Sequence, residues 1–373
     1  MFDLAIKMLA ADRGKMFTAL VGVVFSVVLV NIQGGLFLGL IHKASMLVDH
    51  GQADIWVGHK KIHNVDFPRD IPRRWVHRVR SIPGVSQAEP YLVGVSEMML
   101  PSGGFEPVFV VGVDEGSLLG NVWNLAQGKP EDIRKPDGII VDELEDDKLD
   151  SPGIGDIREI NGLRAKVVAK SHGVMGFLVN PYIFTTYSRA AQYTNKSPTR
   201  CSYFLVRLEP GVDPEMVCQA VKQKIPEVEA FTRTEYSRIS ANYWMTRTGL
   251  GLSFGAATLL GLLVGMIVVG QTLYSLVLDR LSDYATLKAI GAKELQIVSI
   301  ILIQALLMSL MGCVIGLGIV ALAQHFFSTP KTPIDIPNWL AYGTCVLVTL
   351  ICFLFSLWPY SRIRKVDPVM VMQ

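Results

Sequence analysis

Four stretches of the chain contain no Asp, Glu, Lys, Arg or His over a length that can cross a lipid bilayer. They are Met16 to Ile41, Thr248 to Leu278, Leu295 to Gln324 and Ile336 to Ser361. A helix crosses the hydrocarbon core with about 20 apolar residues, so each stretch predicts a membrane-spanning helix. The long interval between the first and second stretches carries enough charged residues to form a separate domain outside the membrane.

Within that interval, short apolar runs alternate with turn residues, which predicts a mixed α/β domain. Helices are predicted in the runs IPRRWVHRVRSIPG, SRAAQYT and DPEMVCQAVKQKIP, the last with Asp213 as its cap and Pro214 in its first turn. The predicted fold is therefore an α-helical membrane protein with four transmembrane helices in a 1+3 arrangement and a large mixed α/β extracytoplasmic domain between the first and second. Its strands are predicted to start near Ala53, Pro90, Pro107, Gly138, Arg164, Pro181 and Ser202.

Basic residues in the short flanks of the spans predict the orientation, because cytoplasmic flanks carry an excess of Lys and Arg. They cluster before the first span, between the second and third, and after the fourth, so both termini are predicted to be cytoplasmic. The predicted layout is an interfacial amphipathic helix over 1–15, spans over 16–41, 247–278, 295–326 and 339–361, an extracytoplasmic domain over 42–246, a cytoplasmic segment over 279–294, a short external loop over 327–338 and a cytoplasmic tail over 362–373.

The first predicted helix places Phe2, Ile6 and Leu9 on one face, with Leu4, Ala5 and Met8 beside them. Such a face favours a helix that lies in the membrane interface. The alternative is a simple extension of the first span.

Composition excludes several function classes. Hydrophobic residues make up 50% of the chain and charged residues 18%, which suits a membrane protein with a folded outer domain. Basic and acidic residues are nearly balanced in that domain, which argues against nucleic-acid binding. None of the spans carries a charged residue in its core, whereas a proton- or sodium-coupled carrier usually needs one. The chain has no H-E-x-x-H or C-x-x-C run that would indicate a metal or redox site.

The run VGMIVVGQTLYS, from Val264 to Ser275, comes close to a nucleotide-binding loop. That loop needs a Lys for the outer phosphates and a position between a strand and a helix. Gln271 stands where the Lys is required, and the run lies inside a predicted span. We therefore expect no nucleotide or other cofactor on this chain.

Small and polar residues within the spans indicate where helices meet. Gly251 with Gly255, and Gly261 with Gly265, form two G-x-x-x-G pairs that allow close helix packing in lipid. The uncharged polar side chains are expected to face protein or a cavity. They are either contacts for a substrate or an opposing chain, or interhelical hydrogen-bonding groups: Asn31, Gln33, Gln271 and Gln304.

The cytoplasmic segment DRLSDYATLKAIGAKELQI begins at Asp279 and has the pattern of a short amphipathic helix ended by Gly291. From the pattern alone it is either a docking surface for another protein or a solvated connector. The run from Tyr243 to Ala292, which includes the L-K-A-I-G-A sequence, resembles the permease family typified by MacB and FtsX (type VII), most closely its DevC-like and haem-exporter branch. Three further runs share the resemblance: ADIWV, PYIFTTYSRAAQY and the tail RIRKVDPVMVM.

This resemblance implies an ABC transporter in which two copies of the permease pair with two separate ATPase subunits that carry ATP and Mg. The long second span would transmit ATPase movement to the outer domain. Asp283 departs from the Glu usual in the family. The ATPase-coupling positions carried over by the resemblance are Asp279, Arg280, Asp283, Tyr284, Leu287, Lys288 and Gly291.

The resemblance further implies a location in the bacterial cytoplasmic (inner) membrane and a lipid or amphiphilic substrate. A periplasmic membrane-fusion adaptor and an outer-membrane duct are implied partners. The alternative function is mechanotransmission, in which the same machine moves its outer domain to regulate a partner such as a cell-wall hydrolase. A membrane receptor without an ATPase is a third class.

Three clusters in the outer domain keep two interpretations each. Five histidines lie between His42 and His77. They either bind a metal or haem or sense pH, or they are solvated surface residues, and His59 and His63 have the spacing to share a metal only if the chain is helical there. Cys201 and Cys218 either pair in an oxidising compartment or stay as free thiols. Five arginines around Trp75 either contact anionic headgroups or form an exposed helix face: Arg69, Arg73, Arg74, Arg78 and Arg80.

Overall fold

The computed structural model describes residues 2–10, 13–177, 180–279, 283, 286–288 and 290–357. The chain divides into two compact units, and we call residues 1–39 with 251–373 the helical unit and residues 40–250 the sheet unit.

Helices of the described residues are numbered in chain order. They are α1 (Phe2–Ala10), α2 (Arg13–Ala44), α3 (Met46–His50), α4 (Val76–Arg80), α5 (Tyr187–Tyr193), α6 (Pro214–Lys224), α7 (Arg233–Arg247), α8 (Leu250–Asp279), α9 (Glu294–Phe327) and α10 (Asn338–Leu357). Four of them, α2, α8, α9 and α10, are long and apolar enough to cross a membrane. The mixed α/β unit lies between the first and second of these in the sequence.

The strands of the sheet unit are likewise numbered in chain order. They are β1 (Ile55–His59), β2 (Ile71–Pro72), β3 (Val85–Met99), β4 (Phe105–Val113), β5 (Leu125–Gln127), β6 (Gly138–Asp142), β7 (Ile157–Ile160), β8 (Leu163–Ser171), β9 (Tyr182–Thr186), β10 (Arg200–Cys201), β11 (Tyr203–Leu208) and β12 (Val228–Thr232). The main sheet has the order β12-β1-β11-β3-β4-β9-β6-β8-β5, with β7 beside β3 and β8, while β2 and β10 form a separate pair.

Strand β3 connects the two halves of the main sheet. Its first half pairs with β11 and its second half with β4, both antiparallel. Successive residues of β3 enter opposite cores, since Leu92 packs with α4, α5 and α6 on one face while Tyr91 and Val93 pack with α3 and α7 on the other. Burial on both faces explains why the central strands read as nearly continuous apolar runs.

The elements predicted from the apolar runs are confirmed: β1, β3, β4, β6, β8, β9 and β11 form at the seven predicted strand sites. The three predicted helices form as α4, which follows a 3-10 turn, α5 and α6. Asp213 caps α6 as expected, because its carboxylate accepts a hydrogen bond of 3.0 Å from the backbone N–H of Glu215.

The second apolar helix begins at Leu250, three residues after the predicted start of the second span at 247. The preceding helix α7 ends at Arg247, Gly249 takes a positive φ of 73°, and α8 begins only at Leu250. A left-handed residue ends an α-helix, and glycine adopts it without steric cost. Helices α7 and α8 are therefore separate helices.

The sheet unit decides two of the alternatives that the sequence leaves open. His59 ends strand β1 and His63 follows a turn, so their spacing does not place them on one helix face. Cys201 on β10 and Cys218 on α6 are separate, buried free thiols. Burial raises the pKa of both thiols, which keeps them protonated and unreactive.

Candidate functional site

The segment between α8 and α9 ends in a glycine-stabilised helix terminus. The backbone N–H of Ala292 donates to the carbonyl of Leu287 at 2.9 Å, and that of Gly291 donates to the carbonyl of Lys288 at 3.1 Å. Gly291 has a φ of 98°. Together these bonds form a Schellman motif, which fixes where the helix stops and how the chain leaves it.

Side chains around this terminus divide into exposed and packed groups. Asp279 is the last residue of α8, and Asp283 is exposed. Leu287 is half-buried and packs against a cluster formed by α1 and the start of α9. Lys288 is also half-buried, whereas Gly291 is exposed. The proposed coupling residues Arg280 and Tyr284 lie outside the described residues.

Helix α1 supports the segment through the same cluster. Ala5 and Met8 of α1 are buried against Ile297, Ile300 and Ile301 of α9. Ile6, which the sequence placed in the main apolar face, is 39% exposed. The buried face of α1 thus combines Ala5 and Met8, which sequence analysis treated as flanking, with Leu9 of the predicted main face.

The run that resembles a nucleotide-binding loop is helical throughout, inside α8. A phosphate cradle needs free backbone amides, whereas in a helix interior these amides are bonded within the helix. Its glycines pack against other helices instead, Gly265 against Ser26 and Gly270 against Phe355.

The two predicted glycine pairs have different surroundings. Gly261 and Gly265 lie against Leu29 and Ser26 of α2, with no room for a β-carbon. At Gly255 a β-carbon would meet no atom within 4 Å. Sequence analysis missed a third pair with the same spacing: Gly312 and Gly316 of α9 lie against Val23 and Val27 of α2.

The uncharged polar residues of the apolar helices do not share one environment. Asn31 is fully buried, and its amide donates to the carbonyl of Val27 at 2.8 Å, while its Oδ1 has no hydrogen-bond partner among the described residues. Gln304 donates to the carbonyl of Ala5 at 3.4 Å. Gln33 is half-buried and Gln271 is exposed. Asn31 and Gln304 thus bond inside the helical unit, and Gln304 links α9 to α1.

Two family profiles match the chain. The profile described as FtsX-like permease C-terminal matches residues 255–368, and the one described as MacB-like periplasmic core domain matches residues 16–224. The second alone covers more than half of the chain. The chain belongs to the MacB/FtsX permease family. Membership of the chain in the DevC-like and haem-exporter branch of this family stays a prediction.

Individual relatives of this MacB/FtsX permease are distant. The hemin transport system permease protein HrtB of Staphylococcus haemolyticus is 25% identical over 108 residues, 28% of this chain and 29% of that protein. The macrolide export ATP-binding/permease protein MacB 2 of Aeromonas hydrophila is 25% identical over 181 residues, 46% of this chain and 28% of that protein. The chain thus spans less than a third of the length of either relative.

Among solved structures, the periplasmic region of MacB from Actinobacillus actinomycetemcomitans aligns with a TM-score of 0.40 and 9% identity. The alignment covers 50% of this chain and 92% of that structure.

Proposed function

We propose that this MacB/FtsX permease is the membrane subunit of an ABC exporter whose ATPase is a separate protein. The observation that carries the proposal is the Schellman-capped terminus between α8 and α9, with Asp283 exposed eight residues before Gly291. The segment connects two long apolar helices, and Leu287 holds it to α1 and α9. A displacement of this terminus by the ATPase is therefore transmitted to the helices attached to it and is not absorbed by a loose loop.

Its substrate class is a hydrophobic or amphiphilic compound. The apolar helices carry uncharged polar groups instead of charges, which suits a weakly polar cargo. Two relatives point the same way, since their names specify hemin transport and macrolide export.

We further propose that the working unit is a homodimer in the bacterial cytoplasmic membrane, with both termini cytoplasmic and the sheet unit extracytoplasmic. The open surface at Gly255 and the exposed side chain of Leu252 give α8 an apolar face that a second copy can cover. A periplasmic adaptor and an outer-membrane duct complete the proposed export path.

Purification tests the proposed assembly directly. The tagged full chain is extracted in mild detergent, and the co-eluting proteins are identified by mass spectrometry. An ATP-binding subunit in roughly equal amount supports the proposal. Recovery of an intact permease without any ATPase, from cells that express their full complement of ATPases, contradicts it and favours the receptor class.

Two substitutions in the coupling segment make the assignment specific. We expect Gly291→Val to lower ATPase co-elution about tenfold, because a β-branched residue at this φ is strained by about 1–2 kcal/mol and the terminus shifts. Asp283→Lys, which reverses an exposed charge, is expected to lower it by a similar factor. The measurement is quantitative co-purification normalised to the permease.

Gly291→Asn is the matched control, since asparagine tolerates a positive φ. Its co-elution is expected to stay within about twofold of the original chain. Unchanged co-elution from both Gly291→Val and Asp283→Lys would refute the coupling role.

Mechanotransmission remains the second candidate function. The observation in its favour is the sheet unit, in which a single sheet is covered on both faces and can therefore move as one body. Candidate amphiphiles that stimulate ATPase activity in the purified complex support export. Stimulation by a purified cell-wall hydrolase instead supports mechanotransmission.

A further inference from the structure

A cavity of about 610 Å³ opens on the sheet unit where the 3-10 turn and α4 meet the loop before β10. Its basic lining comes from Arg73, Arg74, His77, Arg80 and Arg200, and its only acidic lining residue is Asp114. The volume falls within the range of about 300–1,000 Å³ that is typical of small-molecule sites.

The carboxylates near this cavity are already engaged. Asp114 accepts hydrogen bonds from the backbone N–H groups of Gly116 and Ser117 at 3.0 and 3.1 Å. Glu89 pairs with Arg80 at 2.5 Å. Glu89 therefore compensates Arg80, whereas the backbone hydrogen bonds hold Asp114 in place without removing its negative charge. The other arginines of the lining, Arg73, Arg74 and Arg200, outnumber this carboxylate.

A third nearby carboxylate is engaged in the same way, because Asp70 pairs with Lys196 at 2.8 Å. Within the described part of the chain, no carboxylate lies within ion-pair distance of Arg73 or Arg74.

Arg73 is held in position before any ligand binds. Its guanidinium lies 4.4 Å from the centre of the Tyr187 ring, a cation–π geometry that restricts the side chain. The hydroxyl of Tyr187 donates to the carbonyl of Arg200 at 2.5 Å. Tyr187 therefore fixes the guanidinium of Arg73 through its ring and the backbone of Arg200 through its hydroxyl.

We propose that this cavity binds the phosphate or carboxylate group of a small amphiphilic anion. A planar guanidinium forms paired, charge-assisted hydrogen bonds with either group. Pro72, Val76 and Pro90 also line the cavity, and they offer an apolar wall to the uncharged part of the ligand. The site goes beyond the proposed export function and does not depend on it.

Phenyl phosphate and inorganic phosphate are the probes, titrated calorimetrically into the full chain in nanodiscs of zwitterionic lipid. We expect phenyl phosphate to bind at micromolar to millimolar concentration, and Arg74→Gln to weaken it about tenfold because one charge-assisted contact is lost. Arg73→Lys keeps the charge but loses the planar fork, so it is expected to weaken binding as well.

Arg78→Gln is the matched control. Arg78 lies on α4, which directly follows the 3-10 turn that carries Arg74, and it is exposed but does not line the cavity. Arg78→Gln removes one positive charge, as Arg74→Gln does, but from outside the cavity. Its effect on binding is therefore expected to stay below about twofold.

Equal binding of the two probes identifies a site for free phosphate, and tighter binding of phenyl phosphate identifies a site for an organic anion. Both support the anion site. The proposal is overturned if neither probe binds the original chain, if Arg74→Gln binds as well as that chain, or if Arg78→Gln weakens binding as much as Arg74→Gln does.

Discussion

Replacing Asp66 with asparagine is expected to stabilise the sheet unit at pH 7 and to remove most of its pH dependence between pH 4 and 6. Asp66 is buried, with 3% of its surface exposed. Burial raises the pKa of its carboxyl group from 3.8 to about 6. Each unit of pKa difference between the folded and unfolded states is worth about 1.4 kcal/mol, so ionised Asp66 costs the fold about 3 kcal/mol at pH 7.

The surroundings of Asp66 explain why its charge is poorly tolerated. Its Oδ1 accepts a hydrogen bond of 2.5 Å from the hydroxyl of Tyr182. Its Oδ2 is buried without a hydrogen-bond partner among the described residues. Within the same residues no Lys, Arg or His forms an ion pair with it, and the hydroxyl of Tyr182 is the titratable group that shifts its pKa. The charge of Asp66 in turn raises the pKa of Tyr182, Tyr203 and Tyr236. An isolated carboxylate in such a site favours its protonated form.

The sign of the pH effect follows from this pKa. The folded state holds the proton of Asp66 more tightly than the unfolded state, so stability increases as pH falls from about 6 to about 4 and this contribution is constant below that window. Urea titrations of the full chain in detergent, followed by tryptophan fluorescence at several pH values, measure it. The original chain and Asp66→Asn are expected to converge near pH 4 and to diverge towards pH 7.

Tyr182→Phe is the complementary variant. The hydrogen bond from Tyr182 lowers the pKa of Asp66 against the larger effect of burial, so its loss is expected to move the stability change to higher pH. An unchanged pH profile in Asp66→Asn would show that another group controls the stability of the sheet unit in this range.

Sequence patterns predicted the central strands because burial on both faces leaves a continuous apolar run. The short strands β2, β5, β7 and β10 left no such run, since tertiary pairing rather than local sequence defines two to four residues as a strand. Helix α7 was missed because most of its residues are polar. Its buried residues Tyr236, Ser240 and Trp244 recur at every fourth position, a spacing that would have revealed the helix.

The candidate coupling site was predictable in its position and in part of its geometry. The glycine at position 291 indicated a helix end, and the structure shows the positive φ and the paired backbone bonds that make it one. The support of this segment by α1 was not predictable, because contact between Leu287 and the α1–α9 cluster joins residues far apart in the sequence. The basic cavity was not predictable for the same reason, because Arg200 comes close to Arg73 and Arg74 only in the folded chain.

Gly265→Leu is expected to destabilise the helical unit strongly, whereas Gly255→Leu is not. A β-carbon at Gly265 would overlap Ser26, which is buried on α2 with its hydroxyl bonded to the carbonyl of Gly22 at 3.0 Å. The helices must separate or the serine must lose its hydrogen bond, at a cost of about 2–3 kcal/mol or more. Gly255 is on the same helix and in the same type of motif, but a β-carbon there meets no atom within 4 Å.

The two leucine variants therefore change the same residue type on one helix and differ in what the new side chain meets. The measurement is the temperature at which half of the detergent-solubilised protein stays monodisperse in size-exclusion chromatography, and a fall of roughly 5–10 °C is expected for Gly265→Leu alone. Equal losses from both variants would mean that helix composition, not the contact with α2, sets the stability. In nanodiscs, a shift of Gly255→Leu from dimer to monomer at unchanged thermal stability would place the second copy on the open face of α8, because no atom of the described residues lies within 4 Å of a β-carbon at Gly255.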